Sequence, residues 1–351
     1  MRNRIPDAAE QVFWLSLMCI WIVVIGLRHD IGCDWNTYLA LLKNTEIQYS
    51  NIGLFEDFSK HSVYDILRHW LLGRGNDPGY NALILLSIQT GTGIYGVNFI
   101  SAVIIVSGLS LFCRKMPLPW VAWLAATPYF LLVVSMGYSR QAIAISLVML
   151  GLYCLQINRL RKFFFLVLFA TSFHKSAAFF LPLLFLSLPP KFMRPKFLLI
   201  FASPLIAGLL FLAHGQFYSY LQGMWHSQGA IIRAAMNALP GTLLLATNGN
   251  NLTSNPAQKI WLTISCISIV FLVGVGFATT PIDRLGLYLI SLQIYFASNF
   301  PILWRKSDHQ NFLIAAMFIA YGAVQFVWLH FSFNRHCWNS YKNILIPDLH
   351  F

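Results

Sequence analysis

Residues 94–135 read IYGVNFISAVIIVSGLSLFC-RK-MP-LPWVAWLAATPYFLLVVS, which is two apolar runs separated by a short basic turn. The runs cover 94–113 and 118–135, and each is long enough to cross the hydrocarbon core of a bilayer as an α-helix. Arg114 and Lys115 lie in the turn, and such residues favour the cytoplasmic side of a membrane. The stretch therefore predicts two membrane-spanning helices joined in the cytoplasm.

The same pattern extends along the whole chain. Of its 351 residues, 57% are hydrophobic and 10% are charged, and the mean hydropathy is +0.62. Because soluble proteins carry about 25% charged residues, this composition excludes a soluble globular domain, and it also excludes a disordered chain. The sequence predicts an all-α polytopic membrane protein, a single transmembrane domain over 1–351 with about 11 transmembrane helices (roughly 10–12). The predicted spans are 11–27, 94–113, 118–135, 141–157, 163–174, 176–189, 197–213, 229–246, 259–278, 285–303 and 311–330.

The positive charge of the chain follows its topology. There are 24 Lys and Arg against 12 Asp and Glu, a net charge of +12, and the bases form small clusters between the apolar runs. We place these clusters in the cytoplasm, with the N-terminus inside and the C-terminus outside. The basic excess therefore indicates orientation, and no nucleic-acid partner is predicted. The clusters are Arg2/Arg4, Arg114-Lys115, Arg159/Arg161/Lys162, Lys191/Arg194/Lys196, Lys259 and Arg305-Lys306.

Three segments depart from a simple series of spans. The large outer loop after the first span, 28–78, carries seven of the 12 acidic residues, and an apolar helical period over 62–72 predicts a helix at the outer interface. Residues 79–92 are apolar but too short to span untilted, so we interpret them as a re-entrant or interfacial helix. A second outer loop, 214–228, has aromatic and amide side chains that suit sugar rings or, equally, an interfacial aromatic belt.

Five basic side chains occur at the outer ends of the predicted spans or, for Arg233, inside one, where ionisable groups are costly and suggest function. Guanidinium groups bind phosphate bidentately and stay protonated, so we expect a common outer cavity that holds a lipid diphosphate. The alternative is that each one reaches the interface or pairs with a local acid, as Asp283 could do for Arg284. Arg140 and Arg233 have no acid beside them in sequence, which favours a ligand role. The five are Arg28, Arg140, Lys175, Arg233 and Arg284.

Other chemistry is less clearly indicated. His174 is a candidate general base because an ordinary imidazole titrates near neutral pH, although a lone His in a membrane helix often bonds only a neighbouring helix. Metal, nucleophile and nucleotide motifs are absent from the sequence, so no metal and no cofactor is predicted. Cys33 and Cys337 are both predicted outside; they could pair in an oxidising compartment or remain free.

Several short motifs along the chain, taken in order, carry a family resemblance. They are Arg28-His29-Asp30-Ile31-Gly32-Cys33-Asp34-Trp35-Asn36-Thr37-Tyr38, Asp77-Pro78-Gly79-Tyr80, Ser139-Arg140-Gln141-Ala142-Ile143-Ala144, Phe173-His174-Lys175-Ser176-Ala177, Asp283-Arg284-Leu285-Gly286-Leu287-Tyr288, and an aromatic close at Trp338 and Tyr341. Their order and spacing resemble the EpsG-like branch of the Wzy polysaccharide polymerases. That family often has Glu at the position of Asp77.

The resemblance implies a bacterial inner-membrane glycosyltransferase that joins oligosaccharide repeat units carried on undecaprenyl diphosphate. It places both outer loops and the active site in the periplasm, where O-antigen, capsule or exopolysaccharide is built, and a GT-C-like architecture is suspected. The implied partners are the lipid-linked glycan, membrane lipid and a chain-length regulator protein. From the positions of these residues, we expect the diphosphate ligands to be Arg28, Arg140, Arg233 and Arg284. We expect the catalytic residues to be His174, Asp34, Asp77 and Lys175, and the glycan contacts to be Tyr38, Tyr80, Tyr218, Trp225, Tyr288 and Tyr341.

Three other classes stay open on the sequence. A lipid-linked glycan ligase would use the same diphosphate-binding residues. A membrane O-acyltransferase would also use a buried His or Arg, but the short cytoplasmic loops offer no polar catalytic candidates. A flippase or other transporter would more often show two related halves, and none is visible here.

Overall fold

The computed structural model describes residues 8–52, 77–187, 227–248, 256–277, 279–303, 307–338 and 341–345. The first helix, α1 (Ala8–Gly26), matches the first predicted span. Helix α2 (Trp35–Ile52) occupies the first half of the outer loop, where no helix was predicted, and the predicted interfacial helix at 62–72 lies outside the described residues. A short connection, residues 27–34, joins α1 to α2.

Helix α3 (Pro78–Gln89) is the short apolar run that was interpreted as re-entrant or interfacial. Pro78 is in its first turn, where the missing N–H needs no partner. The chain then turns at Gly91, whose positive φ of 66° suits glycine, and enters α4 (Gly93–Cys113). Only three residues separate α3 from α4, and the two helices pack together. Asp77, at the start of α3, is buried.

Two non-helical residues interrupt the helices in the middle of the chain. Helix α5 (Pro119–Gly137) contains a π-helical stretch that begins beside Pro128, which lacks an N–H donor. It is followed by α6 (Ser139–Gln156), α7 (Leu160–Phe173) and a 3₁₀ helix over Lys175–Ser187. Tyr138 (φ −130°, ψ 56°) and His174 (φ −157°, ψ 116°) interrupt the helices. Non-helical backbone in a membrane protein is tolerated where it lines protein or a cavity.

The C-terminal half is also helical. Helix α10 (Thr279–Gly286) continues through a 3₁₀ turn into α11 (Ile290–Asn299), so that 279–303 forms one apolar rod. The remaining helices are α8 (Ala230–Asn248), α9 (Pro256–Gly274) and α12 (Ser307–Phe331), with 3₁₀ turns at Leu287–Leu289, Phe300–Leu303 and Phe333–Cys337.

The helices confirm an all-α membrane protein. Within the described ranges, seven helices are long and apolar enough to cross a bilayer, and Lys175–Ser187 and Gln258–Gly274 are shorter apolar helices. The predicted span 197–213 lies outside the described residues. The number of eleven crossings therefore stays a prediction. The seven are Ala8–Gly26, Gly93–Cys113, Pro119–Gly137, Ser139–Gln156, Ala230–Thr247, Thr279–Leu303 and Asp308–Phe331.

One end of the bundle is closed by the C-terminal segment. Strand β1 (Arg28–His29) pairs antiparallel with β2 (Lys342–Asn343). A disulfide joins Cys33 to Cys337, 304 positions apart, so the two cysteines pair and are not free. The C-terminal segment therefore lies at the Arg28 end of α1, away from Ala8.

The opposite end carries one of the basic turns. The Arg114 guanidinium lies 6.0 Å from the ring of Trp14, which stacks on Trp120 with 4.0 Å between ring centroids. A hydrogen bond also joins α9 to the end of α6, since Trp261 Nε1 donates to Gln156 Oε1 over 3.2 Å. The Arg114 turn is thus near the N-terminal half of α1, and the residues around Arg28 form a separate end.

Candidate functional site

Charged and aromatic side chains from distant segments converge at the Arg28 end of the bundle. They come from the α1–α2 connection, α2, the start of α3, the start of α6, the break before the 3₁₀ helix, and α10. We call the group the polar cluster. Its members are Asp34, Tyr38, Asp77, Tyr80, Arg140, His174, Lys175 and Arg284.

Arg140 is paired with a carboxylate that the sequence did not suggest. Its Nη1 donates to Asp77 Oδ2 over 3.3 Å, and the guanidinium carbon lies 5.8 Å and 5.9 Å from the ring centroids of Tyr38 and Tyr80. These distances are within the range of cation–π attraction. The absence of an acid beside Arg140 in sequence was therefore no guide to its partner, because Asp77 comes from another helix.

Two buried polar groups in this part of the cluster lack hydrogen-bond partners. Neither Arg140 Nε nor the Tyr80 hydroxyl has a partner among the residues that the structure describes. Tyr80 is only 1% exposed. Such groups are uncommon in folded proteins and call for an explanation.

Asp77 is a buried carboxyl group with a raised pKa. Burial raises the pKa of Asp77 to about 6, while the charges of Arg140 and Lys175 and a hydrogen bond from the Lys175 backbone lower it. A general base works best when its pKa is close to the working pH. Asp77 therefore has the electrostatics expected of such a base.

Asp34 lies within electrostatic range of both arginines of the cluster. Burial raises the pKa of Asp34, and the charges of Arg284 and Arg140 act in the opposite direction. Its carboxylate has no hydrogen bond or ion pair with any residue described here. The preceding residue, Cys33, is tied to Cys337 by the disulfide, which anchors this connection.

Arg233 and Asp283 form a second ion pair. Arg233 Nε donates to Asp283 Oδ1 over 2.5 Å and its Nη2 to Asp283 Oδ2 over 2.9 Å, a bidentate arrangement. Ser227 Oγ donates to the same carboxylate over 2.5 Å and accepts from Arg233 Nη2 over 2.8 Å. Asp283 was a possible partner for Arg284, but the structure pairs it with Arg233.

Arg284 consequently forms no ion pair among the described residues, and Asp34 lies within its electrostatic range. Its guanidinium carbon lies 4.8 Å from the centroid of the Tyr138 ring. Its backbone is fixed, since Gln141 Nε2 donates to the Arg284 carbonyl oxygen over 2.5 Å. A cation in this setting can bind an external anion without first breaking an ion pair.

Arg28 is buried in the scaffold. It is 1% exposed, and its N–H groups donate to the carbonyl oxygens of Ile25 and Ile31, to Asn98 Oδ1 over 3.1 Å and to Ser139 Oγ over 3.0 Å. Burial lowers the pKa of Arg28 to about 10, which still leaves it protonated at neutral pH. Its contacts join the end of α1 to α4 and to the start of α6.

The remaining predicted residues have different surroundings. His174 Nδ1 shares a 2.5 Å hydrogen bond with Ser176 Oγ, and Ser176 Oγ also donates to the Tyr288 hydroxyl over 3.2 Å. The Tyr341 hydroxyl donates to the Val24 carbonyl oxygen over 2.8 Å, so it takes part in the C-terminal closure. The predicted glycan contacts Tyr218 and Trp225 lie outside the described residues.

A cavity of about 300 Å³ adjoins the cluster. Its lining combines two arginines and one carboxylate with aromatic, amide and hydroxyl groups, a set that can bind a sugar or an anion. A pocket of this size lies at the lower end of the range for small-molecule sites. Its lining residues include Tyr138, Gln228, Arg233, Asp283, Arg284, Phe333 and Asn334.

The family model that matches this chain is that of the EpsG family, and the match covers residues 11–343. The chain belongs to the EpsG family. The comparisons with curated proteins and with solved structures found no match. The EpsG match includes every residue of the polar cluster, and it makes the chain a multi-pass membrane protein of the polysaccharide-polymerase type.

Sequence reasoning missed some residues in and around the candidate site. Tyr138 contacts Arg284 and lines the cavity, and its position next to Ser139-Arg140 was a usable signal. Ser227 and Asn98 were missed because a lone hydroxyl or amide in a long apolar chain gives no pattern.

Proposed function

We propose that the protein polymerises oligosaccharide repeat units carried on undecaprenyl diphosphate, at the periplasmic face of a bacterial inner membrane. The observation that carries the proposal is the convergence of carboxylates and cations from separate segments beside a 300 Å³ cavity. EpsG membership supports the same reaction class. The product would be an O-antigen, a capsule or an exopolysaccharide.

The charge of the cluster favours an anionic substrate. Three cations, Arg140, Lys175 and Arg284, accompany the carboxylates Asp34 and Asp77, so one positive charge is in excess. Arg284 is the principal diphosphate ligand in this proposal. Arg28 and Arg233, which were expected to bind the diphosphate as well, are assigned to the scaffold because protein oxygens occupy their N–H groups.

The proposed reaction transfers the growing chain to a new unit. A hydroxyl oxygen of the acceptor sugar forms a bond to the anomeric carbon of the donor, and the bond from that carbon to the diphosphate oxygen breaks. The proton of the hydroxyl passes to Asp77, and the electron pair of the broken bond leaves with the diphosphate. Arg284 and Lys175 stabilise the charge that develops there. Asp34 is the alternative base.

His174 has a positioning role in this scheme. Its ring is tied to Ser176 and lies 3.4 Å from the Tyr288 hydroxyl. It also lies within electrostatic range of Arg140 and Arg284. An imidazole held in this way orders the groups around the transfer.

The disulfide supports the periplasmic assignment. Disulfides persist in oxidising compartments and are rare in the cytosol, and Cys33–Cys337 lies at the same end as the polar cluster. Arg114 lies near Trp14, toward the N-terminal half of α1, which agrees with a cytoplasmic N-terminus. A chain-length regulator partner and a GT-C-like architecture are part of the same proposal.

Deletion of the gene in its host tests this function. A polymerase mutant retains a single lipid-linked repeat unit and lacks the ladder of longer chains. Loss of all glycan on the lipid core would indicate a ligase, and normal length without acyl groups would indicate an acyltransferase. Complementation with the wild-type gene should restore the ladder.

A further inference from the structure

The C-terminal segment forms part of the wall of the 300 Å³ cavity. Phe333 and Asn334 line the cavity, and both belong to the 3₁₀ turn Phe333–Cys337 that follows α12. Other lining residues come from Tyr138, from the turn before α8 and from α10. A ligand in the cavity therefore contacts the C-terminal turn as well as the arginines.

This part of the lining presents an aromatic ring and two amides that are open to a ligand. Phe333 is 71% exposed. The side-chain amides of Asn334 and Gln228 form no hydrogen bond with any residue that the structure describes. A sugar has an apolar C–H face that packs on an aromatic ring, and its hydroxyl groups bond amides, which both donate and accept. The three side chains therefore suit a sugar.

The C-terminal turn is held in a fixed position. Ser332 Oγ accepts a hydrogen bond from the Asn334 N–H over 3.3 Å, and the Cys33–Cys337 disulfide closes the other end of the turn. The Trp338 ring packs so closely on Gly137 that a Cβ there would come within 2.9 Å of it. Since Gly137 precedes Tyr138, the turn is fixed against another wall of the cavity, and a rigid element discriminates better between ligands.

The arginines indicate what the sugar is attached to. Arg233 is bound bidentately by Asp283, whereas the Arg284 guanidinium forms no hydrogen bond with a described residue. Asp34 lies within electrostatic range of Arg284 but is not among the residues that line the cavity. Arg284 is the principal diphosphate ligand in the proposed function. A sugar that shares its small cavity is then the one joined directly to the diphosphate.

We propose that Phe333, Asn334 and Gln228 form a specificity site for the sugar joined to the lipid diphosphate. The ring of Phe333 stacks on this sugar, and the two amides bond its hydroxyl groups. The inference rests on the proposed function and deepens it, because it names the part of the donor that is recognised. The ligand class is a polyprenyl diphosphate sugar, and the C-terminal turn selects which sugar is accepted.

Two ligands that differ by one sugar test the specificity site. They are undecaprenyl diphosphate and undecaprenyl diphosphate that carries the first sugar of the host's repeat unit. Each displaces a fluorescent undecaprenyl diphosphate from the full-length protein in nanodiscs, which gives its Kd. The wild-type protein should bind the sugar-bearing ligand roughly 10-fold or more tightly, from one covered aromatic ring and the added hydrogen bonds.

The variants should affect the two ligands differently. Phe333→Ala should remove most of the preference for the sugar-bearing ligand and leave the Kd of undecaprenyl diphosphate unchanged. Asn334→Ala should reduce the preference by about 2–10-fold, the effect of one lost hydrogen bond. Arg284→Gln should weaken both ligands by the same factor.

Three further variants separate a sugar contact from a membrane contact. Phe333→Tyr keeps an aromatic ring and should keep the preference, whereas Phe333→Leu keeps only an apolar side chain and should lose it. Phe331→Ala is the matched control, because Phe331 is 74% exposed and does not line the cavity, and it should change neither Kd. Since these side chains are largely exposed, the melting temperature should not change.

The results distinguish this inference from the proposed function. An equal loss of affinity for both ligands in Phe333→Ala would assign the ring to the polyprenyl chain, and an unchanged preference would assign sugar recognition to other residues. Either result overturns the specificity site. The same nanodiscs report polymerisation through the glycan ladder. A wild-type protein that prefers the sugar-bearing ligand through Phe333 but makes no ladder would retain the specificity site and reject the polymerase.

Discussion

Arg140 Nη1 lies 3.3 Å from Asp77 Oδ2, although the two residues are 63 positions apart. The pair joins the start of α6 to the start of α3 and brings a strong hydrogen-bond donor next to a carboxyl group with a raised pKa. In the proposed reaction, Asp77 removes the proton of the acceptor hydroxyl and Arg140 holds its carboxylate in place. Several consequences can be measured.

Replacement of Arg140 should abolish polymerisation without preventing membrane insertion. In Arg140→Ala, Asp77 loses its ion-pair partner and the proposed base is no longer held in place, so chain lengthening should fall by about 10²-fold or more. The glycan ladder and the amount of protein in the membrane fraction report the two effects. A variant that still makes full-length polymer would remove Arg140 from the site.

The rate should depend on the ionisation of Asp77. A base acts when deprotonated, so kcat/KM should rise as the pH increases through about 6 and level off above it, following the raised pKa of Asp77. Asp77→Asn should lower the rate by about 10²–10⁴-fold, the usual contribution of general base catalysis. The pH profile of Asp34→Asn distinguishes the carboxylates: if its acidic limb is lost, Asp34 is the base.

The disulfide should stabilise the closed end of the bundle. Loss of a native disulfide typically costs about 2–4 kcal/mol, so Cys33→Ser/Cys337→Ser should melt at a lower temperature in nanodiscs. Activity should fall too, because Asp34 follows Cys33 while Phe333 and Asn334 line the cavity.

Reduction provides the control for this effect. A reductant should reproduce the loss in the wild-type protein and have no further effect on the double variant. Equal melting temperatures for wild type and double variant would show that the bond makes no contribution.

Removal of one member of the Arg233–Asp283 pair should be worse than removal of both. Asp283→Asn leaves a largely buried guanidinium without its charged partner and should destabilise the protein by about 1.5–3 kcal/mol, the range for hydrogen bonds to charged groups. Arg233→Met/Asp283→Leu should recover part of that loss. Thermal unfolding of Arg233→Met, Asp283→Leu and the double variant measures the coupling. Additive effects would mean that the pair does not fix α8 against α10.

Composition and apolar periodicity were sufficient for much of the fold. The predicted spans 94–113, 118–135 and 141–157 agree closely with helices α4, α5 and α6, because a bilayer demands long uninterrupted apolar runs. Helix α2 was missed because it is amphipathic and lies in a loop rich in acids. The sequence marks spans clearly and surface helices poorly.

The site was only partly predictable for a different reason. The basic residues were visible because charge is costly near a membrane, but their partners depend on distances between helices. Asp283 is next to Arg284 in sequence yet bonds Arg233, and Arg28 makes its contacts inside the scaffold. The Cys33–Cys337 pairing likewise depends on two segments meeting in space.

The most direct test of the account is to supply purified, reconstituted protein with lipid-linked repeat unit and count both products. The account predicts a ladder of longer glycans with one undecaprenyl diphosphate released for each new glycosidic bond, and loss of both in Arg284→Gln. Release of undecaprenyl diphosphate without a ladder, or a ladder that Arg284→Gln leaves unchanged, would contradict it.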